Sequence, residues 1–214
     1  MNAVQDKSER RSQRGATTSR HQGLHDQLLA AAEKTIAADG LPALRARALA
    51  EAVGCSVGAI YNIFPDLDAL ILAVNGRTLS AIDLAMRSVV PDAEPAVHLV
   101  HLAETYLDYA ATQRRRWIAL FSHRMSDNRT APPWYAEQRN AAFSHVEAPL
   151  AALRPDLPAD ERALLARTLF AAVHGMVVLG LDETLTPLKL PVLRDQVRIV
   201  VQAMARGLTA GRTD

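Results

Sequence analysis

Apolar residues recur every four positions at Leu24, Leu28, Ala32 and Ile36, so HQGLHDQLLAAAEKTIAADG predicts an amphipathic helix ending at Gly40. Leu44, Leu49 and Val53 mark a second helix, with Gly54 as the residue just past its end. Ser56 is placed to cap a third, very short helix, VGAIYNIF, which Pro65 stops. Asp66 then caps a fourth helix running to about Val90, with Leu70, Ile71, Val74, Ile82 and Ala85 apolar. Beyond Pro91 the period stays helical through VHLVHLAETYLDYAA, RRRWIALFSHRM and PPWYAEQRNAAFSHVEAPLAAL, the last with Pro149 as a bend or break. The turn RPDLPAD precedes ERALLARTLFAAVHGMVVLGL, apolar nearly all round, and PVLRDQVRIVVQAMARGL closes the chain. No period-2 strand and no tandem repeat is visible. The expected class is all-α, with about nine helices: a three-helix N-terminal head and a C-terminal bundle of five to six.

The tightest punctuation lies at 54–70, GCSVGAIYNIFPDLDAL. Two short helices joined by a Gly-containing turn, braced by a preceding helix, follow the helix-turn-helix plan. In that plan the second helix lies in the major groove with its N-terminal residues at base edges. Ile60 and Phe64, one turn apart, are expected to pack inward with Leu49 and Val53. Ser56, Val57, Gly58, Ala59, Tyr61 and Asn62 are then left facing out. Small residues there allow close approach of the backbone; Tyr61 can reach a phosphate, and Asn62 a phosphate or an adenine edge.

Composition narrows the classes further. Of 214 residues, 49% are apolar and 22% charged, the balance of a water-soluble globular chain, and no uninterrupted apolar run approaches the length of a membrane span. The N-terminus has no apolar core of a secretory signal, so a cytoplasmic protein is expected. Cys55 is the single cysteine, which excludes an intrachain disulfide or a cysteine-rich metal site, and its neighbours carry no cation to activate it. The net charge of +1 conceals a basic start: residues 1–20 hold five cations against two acids. That stretch has almost no large apolar residue and is expected to be a disordered arm over 1–21, either a solubilising tail or a segment that follows DNA phosphates. His98 and His101 could form a metal pair by spacing, but no carboxylate spacing completes a site, so no metal and no cofactor is expected. Arg114–Arg116 point in three directions and suit a solvated helix start. No paired carboxylates, Ser-His-Asp set or Gly-rich phosphate loop suggests an enzyme.

The string LRARALAEAVGCSVGAIYNIFPDLDALI resembles the N-terminal signature of the TetR family of bacterial transcriptional regulators. Arg47, Leu49, Ala50, Gly54, Ser56, Gly58, Ile60, Tyr61, Phe64 and Leu70 fit it in order and spacing, over about residues 20 to 70. Two positions depart: Leu67 stands where the family has a phosphate-binding lysine, and Arg45 where it has a Ser/Thr cap. The resemblance implies a ligand-responsive repressor that binds a pseudo-palindromic operator as a homodimer. The head at 22–68 would carry Arg45, Arg47 and the outward residues of the third helix; residues 69–214 would bind ligand and dimerise. Tyr106, Trp117, Phe121, Phe143, His174 and Val177 are the expected pocket lining. Leu169, Ala172, Val173, Met176, Val197, Val201 and Met204 are the expected dimer contacts. The partners implied are a DNA operator, an unknown small-molecule effector and a second copy of the chain, with no membrane. An architectural DNA binder without effector is the alternative that the sequence leaves open.

Overall fold

A computed structural model describes residues 2–126, 129–182, 184 and 188–210, with side chains from Ser19 to Thr209 within those ranges. Among the described residues there are nine α-helices and no strand: α1 Asn2–Asp39, α2 Ala46–Val53, α3 Val57–Ile63, α4 Leu67–Arg87, α5 Pro95–Thr112, α6 Arg114–Ser122, α7 Pro133–Leu153, α8 Ala159–Gly180 and α9 Leu190–Ala210. A 3-10 turn, Leu41–Ala43, joins α1 to α2.

The chain divides into two compact units. The first is Met1–Asn75 with Ile118–Arg129, and the second is Gly76–Trp117 with Thr130–Asp214. A single cut after residue 68 therefore does not describe the division. The first unit takes in the first half of α4 and recruits a strip from the end of α6, because Leu70, Ile71, Val74 and Ala119 share its core.

In that unit α1 packs against α2 and α3. The period-four stripe of α1 supplies Leu28, Ala32 and Ile36, all fully buried, against Leu44, Leu49, Ile60 and Phe64. Each of the larger side chains contributes about 1.5–3 kcal/mol on leaving water. Backbone residues 2–20 lie within α1, where a disordered arm was expected. Only Gly15 interrupts residues that tolerate a helix, and extending a packed helix avoids the cost of nucleation. The side chains of residues 1–18, and with them four of the arm's five cations, lie outside the described residues.

In the second unit α5 is central, packing against α7, α8 and α9, while α8 packs on α7 and α9. Its core holds Leu99, Leu107, Ala110, Leu150, Val177, Leu193 and Val197. Pro149 neither breaks nor ends α7; it is buried, as are Leu150 and Leu153 beyond it. The closest approach is at Gly180, where an added Cβ would sit 2.5 Å from Leu193 Cδ1. By length and composition α4 and α8 could each cross a membrane. The apolar residues of α4, Leu70 to Met86, are instead mostly buried in protein, and α8 buries Ala166, Leu169, Val173 and Val177.

Candidate nucleic-acid interface and effector site

The turn between α2 and α3 is set by Gly54, whose φ of 75° lies in the left-handed region that other residues resist. Its N–H and that of Cys55 return to carbonyls of α2, ending the helix within two residues. Ser56 then caps α3: its Oγ accepts from the Ala59 N–H at 3.1 Å. Arg45 stands at the N-cap of α2 without a side-chain capping bond, as its departure from Ser/Thr implies.

Ile60 and Phe64 point inward and are 1% and 5% exposed. Phe64 also stacks on His25, ring centroids 5.0 Å apart, a partner from α1 that no spacing rule signals. On the opposite side Ser56, Gly58, Tyr61 and Asn62 are exposed, as are Arg45 and Arg47. Val57 and Ala59 depart from the expected outward face. Both are half-buried, and Val57 packs against the head core because the seven-residue helix turns that flank partly inward. Nothing in the chain itself requires a glycine at 58, since an added Cβ would meet only Ser56 Oγ at an ordinary 3.8 Å.

The start of α4 carries a polar network that the sequence did not reveal. Asp66 Oδ1 accepts the Ala69 N–H at 2.7 Å, the expected cap. Two residues on, the buried Asp68 carboxylate accepts the Ser126 N–H at 2.8 Å and an Arg129 N–H at 2.9 Å, with His123 Nε2 at 3.4 Å. Arg129 also reaches Asp66 at 2.8 Å. Burial would raise the Asp68 pKa, but the Ser126 amide and hydroxyl, His123 and Arg129 together hold it below the usual carboxylate range. Burial lowers the His123 pKa, with Asp68 opposing. Leu67, in the lysine's place, is half-buried against the head core.

The second unit contains an aromatic cluster. Tyr106 Oη accepts the Trp117 Nε1–H at 2.8 Å and lies 2.7 Å from His174 Nδ1. A phenol has one proton to give, and giving it to His174 Nδ1 while accepting from Trp117 would leave the imidazole proton on Nε2. Burial lowers the His174 pKa, which favours this neutral form. Burial also raises the Tyr106 phenol, against a smaller opposing effect of the Trp117 bond. Phe170 joins the rings, stacked on His174 at 5.4 Å and edge-on to Tyr106 at 5.3 Å and Phe143 at 5.1 Å. Its spacing of four from His174 on α8 was the available signal. Five of the six expected lining residues thus fall in this unit, with Val177 fully buried. Phe121 does not: it belongs to the other unit and is 37% exposed, because the division falls just after Trp117 in α6. A separate open cleft of about 430 Å³ is lined by Ser88, Asp92, His101, Glu104, Asp108 and Arg194. Its charged groups are already engaged, Asp108 by Arg194 and Glu104 by Arg198. Among the described residues, no group of three or more His, Cys, Asp or Glu is placed to hold a metal.

The expected dimer contacts divide by burial. Leu169, Val173, Val197 and Val201 are buried in the unit's own core, where α8 and α9 meet their neighbours. Ala172, Met176 and Met204 are half-buried. The exposed large apolar side chains are Leu164, Val178 and Leu179 on α8 and Leu190, Val192 and Ile199 on α9.

Two family matches fit this geometry. Residues 28–74 match the bacterial regulatory proteins of the tetR family, and residues 99–206 match the tetracyclin repressor-like C-terminal domain. No curated protein matches the sequence. Among solved structures, the chain is similar to a protein of unknown function from a Rhodococcus species, with 24% identity, TM-score 0.64, and 88% of this chain and 94% of that one covered. It is also similar to the TetR family transcriptional regulator PfmR from Thermus thermophilus, with 17% identity, TM-score 0.55, and 87% and 99% covered. A tetR-family transcriptional regulator from Streptomyces coelicolor gives 16% identity, TM-score 0.65, and 89% and 83% covered. At these identities the likeness to solved structures speaks for the fold; the family matches, spanning the head and most of the second unit, go further. The chain belongs to the TetR family, as a transcriptional regulator with a DNA-binding helix-turn-helix head.

Proposed function

We propose that this regulator is a cytoplasmic, non-enzymatic, ligand-responsive repressor that binds a pseudo-palindromic operator as a homodimer. The observation that carries the reading is the outer side of α3. Tyr61 is 47% exposed and Asn62 stands beside it, on a helix locked from behind by Ile60 and Phe64. Gly58 has no steric duty within the chain, so its bareness suits close approach to a groove. Arg45 and Arg47 offer phosphate contacts from α2.

Dimerisation is supported by two matched stripes. On α8 the exposed or half-exposed positions 164, 168, 171, 175 and 178 share one face, and on α9 positions 192, 196, 199 and 203 do the same. Leu164 is 64% and Ile199 53% exposed. A Cβ added at Gly175 would meet nothing, which leaves room for a second copy to approach closely. Two heads so linked can read a two-fold symmetric site.

The cluster of Tyr106, Trp117, Phe143, Phe170 and His174 is the effector-site candidate, apolar with a few placed polar atoms. An effector weakens DNA binding only through a difference in its affinity for the two states of the protein. The test is selection of DNA by the purified protein from a random pool, at two salt concentrations. An enriched pseudo-palindrome is expected. Salt-sensitive binding without an enriched motif would replace the repressor reading by an architectural one.

A further inference from the structure

The strip that follows Trp117 runs antiparallel along α4. Asn75 Nδ2, two turns into α4, donates to the Ala119 carbonyl at 3.5 Å, while Asp68 at its start holds Ser126 and Arg129. Donors 58 and 61 positions away in sequence therefore converge on one carboxylate whose side chain is 9% exposed. An acceptor so buried is stabilising only while its donors stay in place.

A helix start is ordinarily a site for anions, including nucleic-acid phosphates. Here α4 offers no such vacancy. Asp66 occupies the cap, Asp68 adds a second carboxylate in the first turn, and Arg129 straddles both while its Nε–H reaches the Ser126 carbonyl. The start of α4 is a docking point for the chain's own residues 118–126 and Arg129. It also follows α3 directly: Phe64 ends α3 and is buried in the head core, Pro65 fixes the next φ, and Asp66 begins the α4 cap. Whatever holds Asp68 holds the outgoing end of the recognition helix.

We propose that Asp68 is a positioning residue for DNA recognition: clamped by Ser126 and Arg129, it fixes the first turn of α4 and through Phe64–Asp66 the setting of α3 in the groove. The proposal rests on the DNA-binding reading of α3. Arg129 serves the carboxylates and does not bind phosphate. The clamp touches no DNA.

Charge and position make opposite demands on the same substitution, which gives the test. Asp68→Asn removes a negative charge from the DNA-binding head, and electrostatics alone would then tighten binding. Loss of the clamp weakens it. Full-length wild type, Asp68→Asn, Arg129→Gln and Arg129→Lys are titrated against a DNA fragment that the wild type has enriched from a random pool. Failure of the wild type to enrich any fragment would count against the DNA-binding reading itself, before the clamp is tested. The titrations span a salt series, at temperatures where circular dichroism shows each variant fully folded. The expected result is about tenfold weaker binding for Asp68→Asn and Arg129→Gln, the size of one charge-assisted hydrogen bond, with partial recovery in Arg129→Lys. The slope of affinity against salt should match that of the wild type. Unchanged or tighter binding by Asp68→Asn overturns the proposal. So does a slope lowered by about one in Arg129→Gln, which would make Arg129 a phosphate ligand. Should Asp68→Asn not fold, the half-exposed Arg129→Gln decides alone.

Discussion

The DNA head and the second unit place their candidate functional groups in different ways. In the head, short segments do the placing: Gly54 turns the chain, Ser56 caps α3, and Ile60 and Phe64 orient it, all within eleven residues. In the second unit, Tyr106, Trp117, Phe143 and His174 come from four helices, and no local rule assembles them. A site fixed by a turn can be read as a motif; a site fixed by packing shows only as scattered aromatic residues.

If that distinction is physical, the two units should fail separately. Ile60→Ala removes most of a fully buried side chain from the small head core and should cost about 3 kcal/mol. Specific DNA binding should be lost. The near-ultraviolet circular dichroism of the second unit, which reports Tyr106 and Trp117, should persist to higher denaturant. Simultaneous loss of both signals would show one cooperative body and undo the comparison.

The same contrast explains how much was legible. The cap by Ser56, the turn at Gly54, the cap by Asp66 and the inward pair Ile60 and Phe64 were readable because each is a bond or contact within a few residues. The Asp68 network was not, since its donors arrive from about sixty residues away and nothing near Arg129 marks it. The exposed side of α8 was illegible for a similar reason. An all-round apolar α8 told that both sides were covered, but not which side faced the chain's own core. Leu169 and Val173 face that core, and Leu164 and Leu179 do not. Phe170 was missed because Tyr106 and Phe143, its other ring partners, lie on other helices.

A smaller effect tests the packed site. Tyr106→Phe keeps the ring and its edge contacts but removes the oxygen that accepts from Trp117 and meets His174. The Trp117 donor is then buried without that acceptor, at a cost of about 1–3 kcal/mol. Chemical denaturation should show this loss in the second unit, while DNA affinity without effector stays at the wild-type level. A variant as stable as wild type would mean that water replaces the phenol, and the cluster would be wetter than its burial implies.

The smallest effect concerns the direction of the Tyr106–His174 bond. Burial holds the His174 pKa below the ordinary histidine value of 6.5 in the folded chain, so folding favours the neutral ring. The stability this contributes is fully present above the unfolded value and is lost as pH falls through 6.5 toward the folded one. His123 is shifted the same way, so wild-type stability should decline on mild acidification from both units. His174→Gln supplies an acceptor oxygen for Tyr106 but no titrating group. Its stability curve should run parallel to the wild type above about pH 7 and decline less below it. The reverse outcome, wild type gaining stability relative to the variant on acidification, would require a protonated His174 that donates to Tyr106. The phenol would then receive two N–H donors, from Trp117 and His174, and its own proton would need another acceptor. That result would reverse the order of donors in the cluster and change which hydrogen-bonding groups the proposed effector site offers.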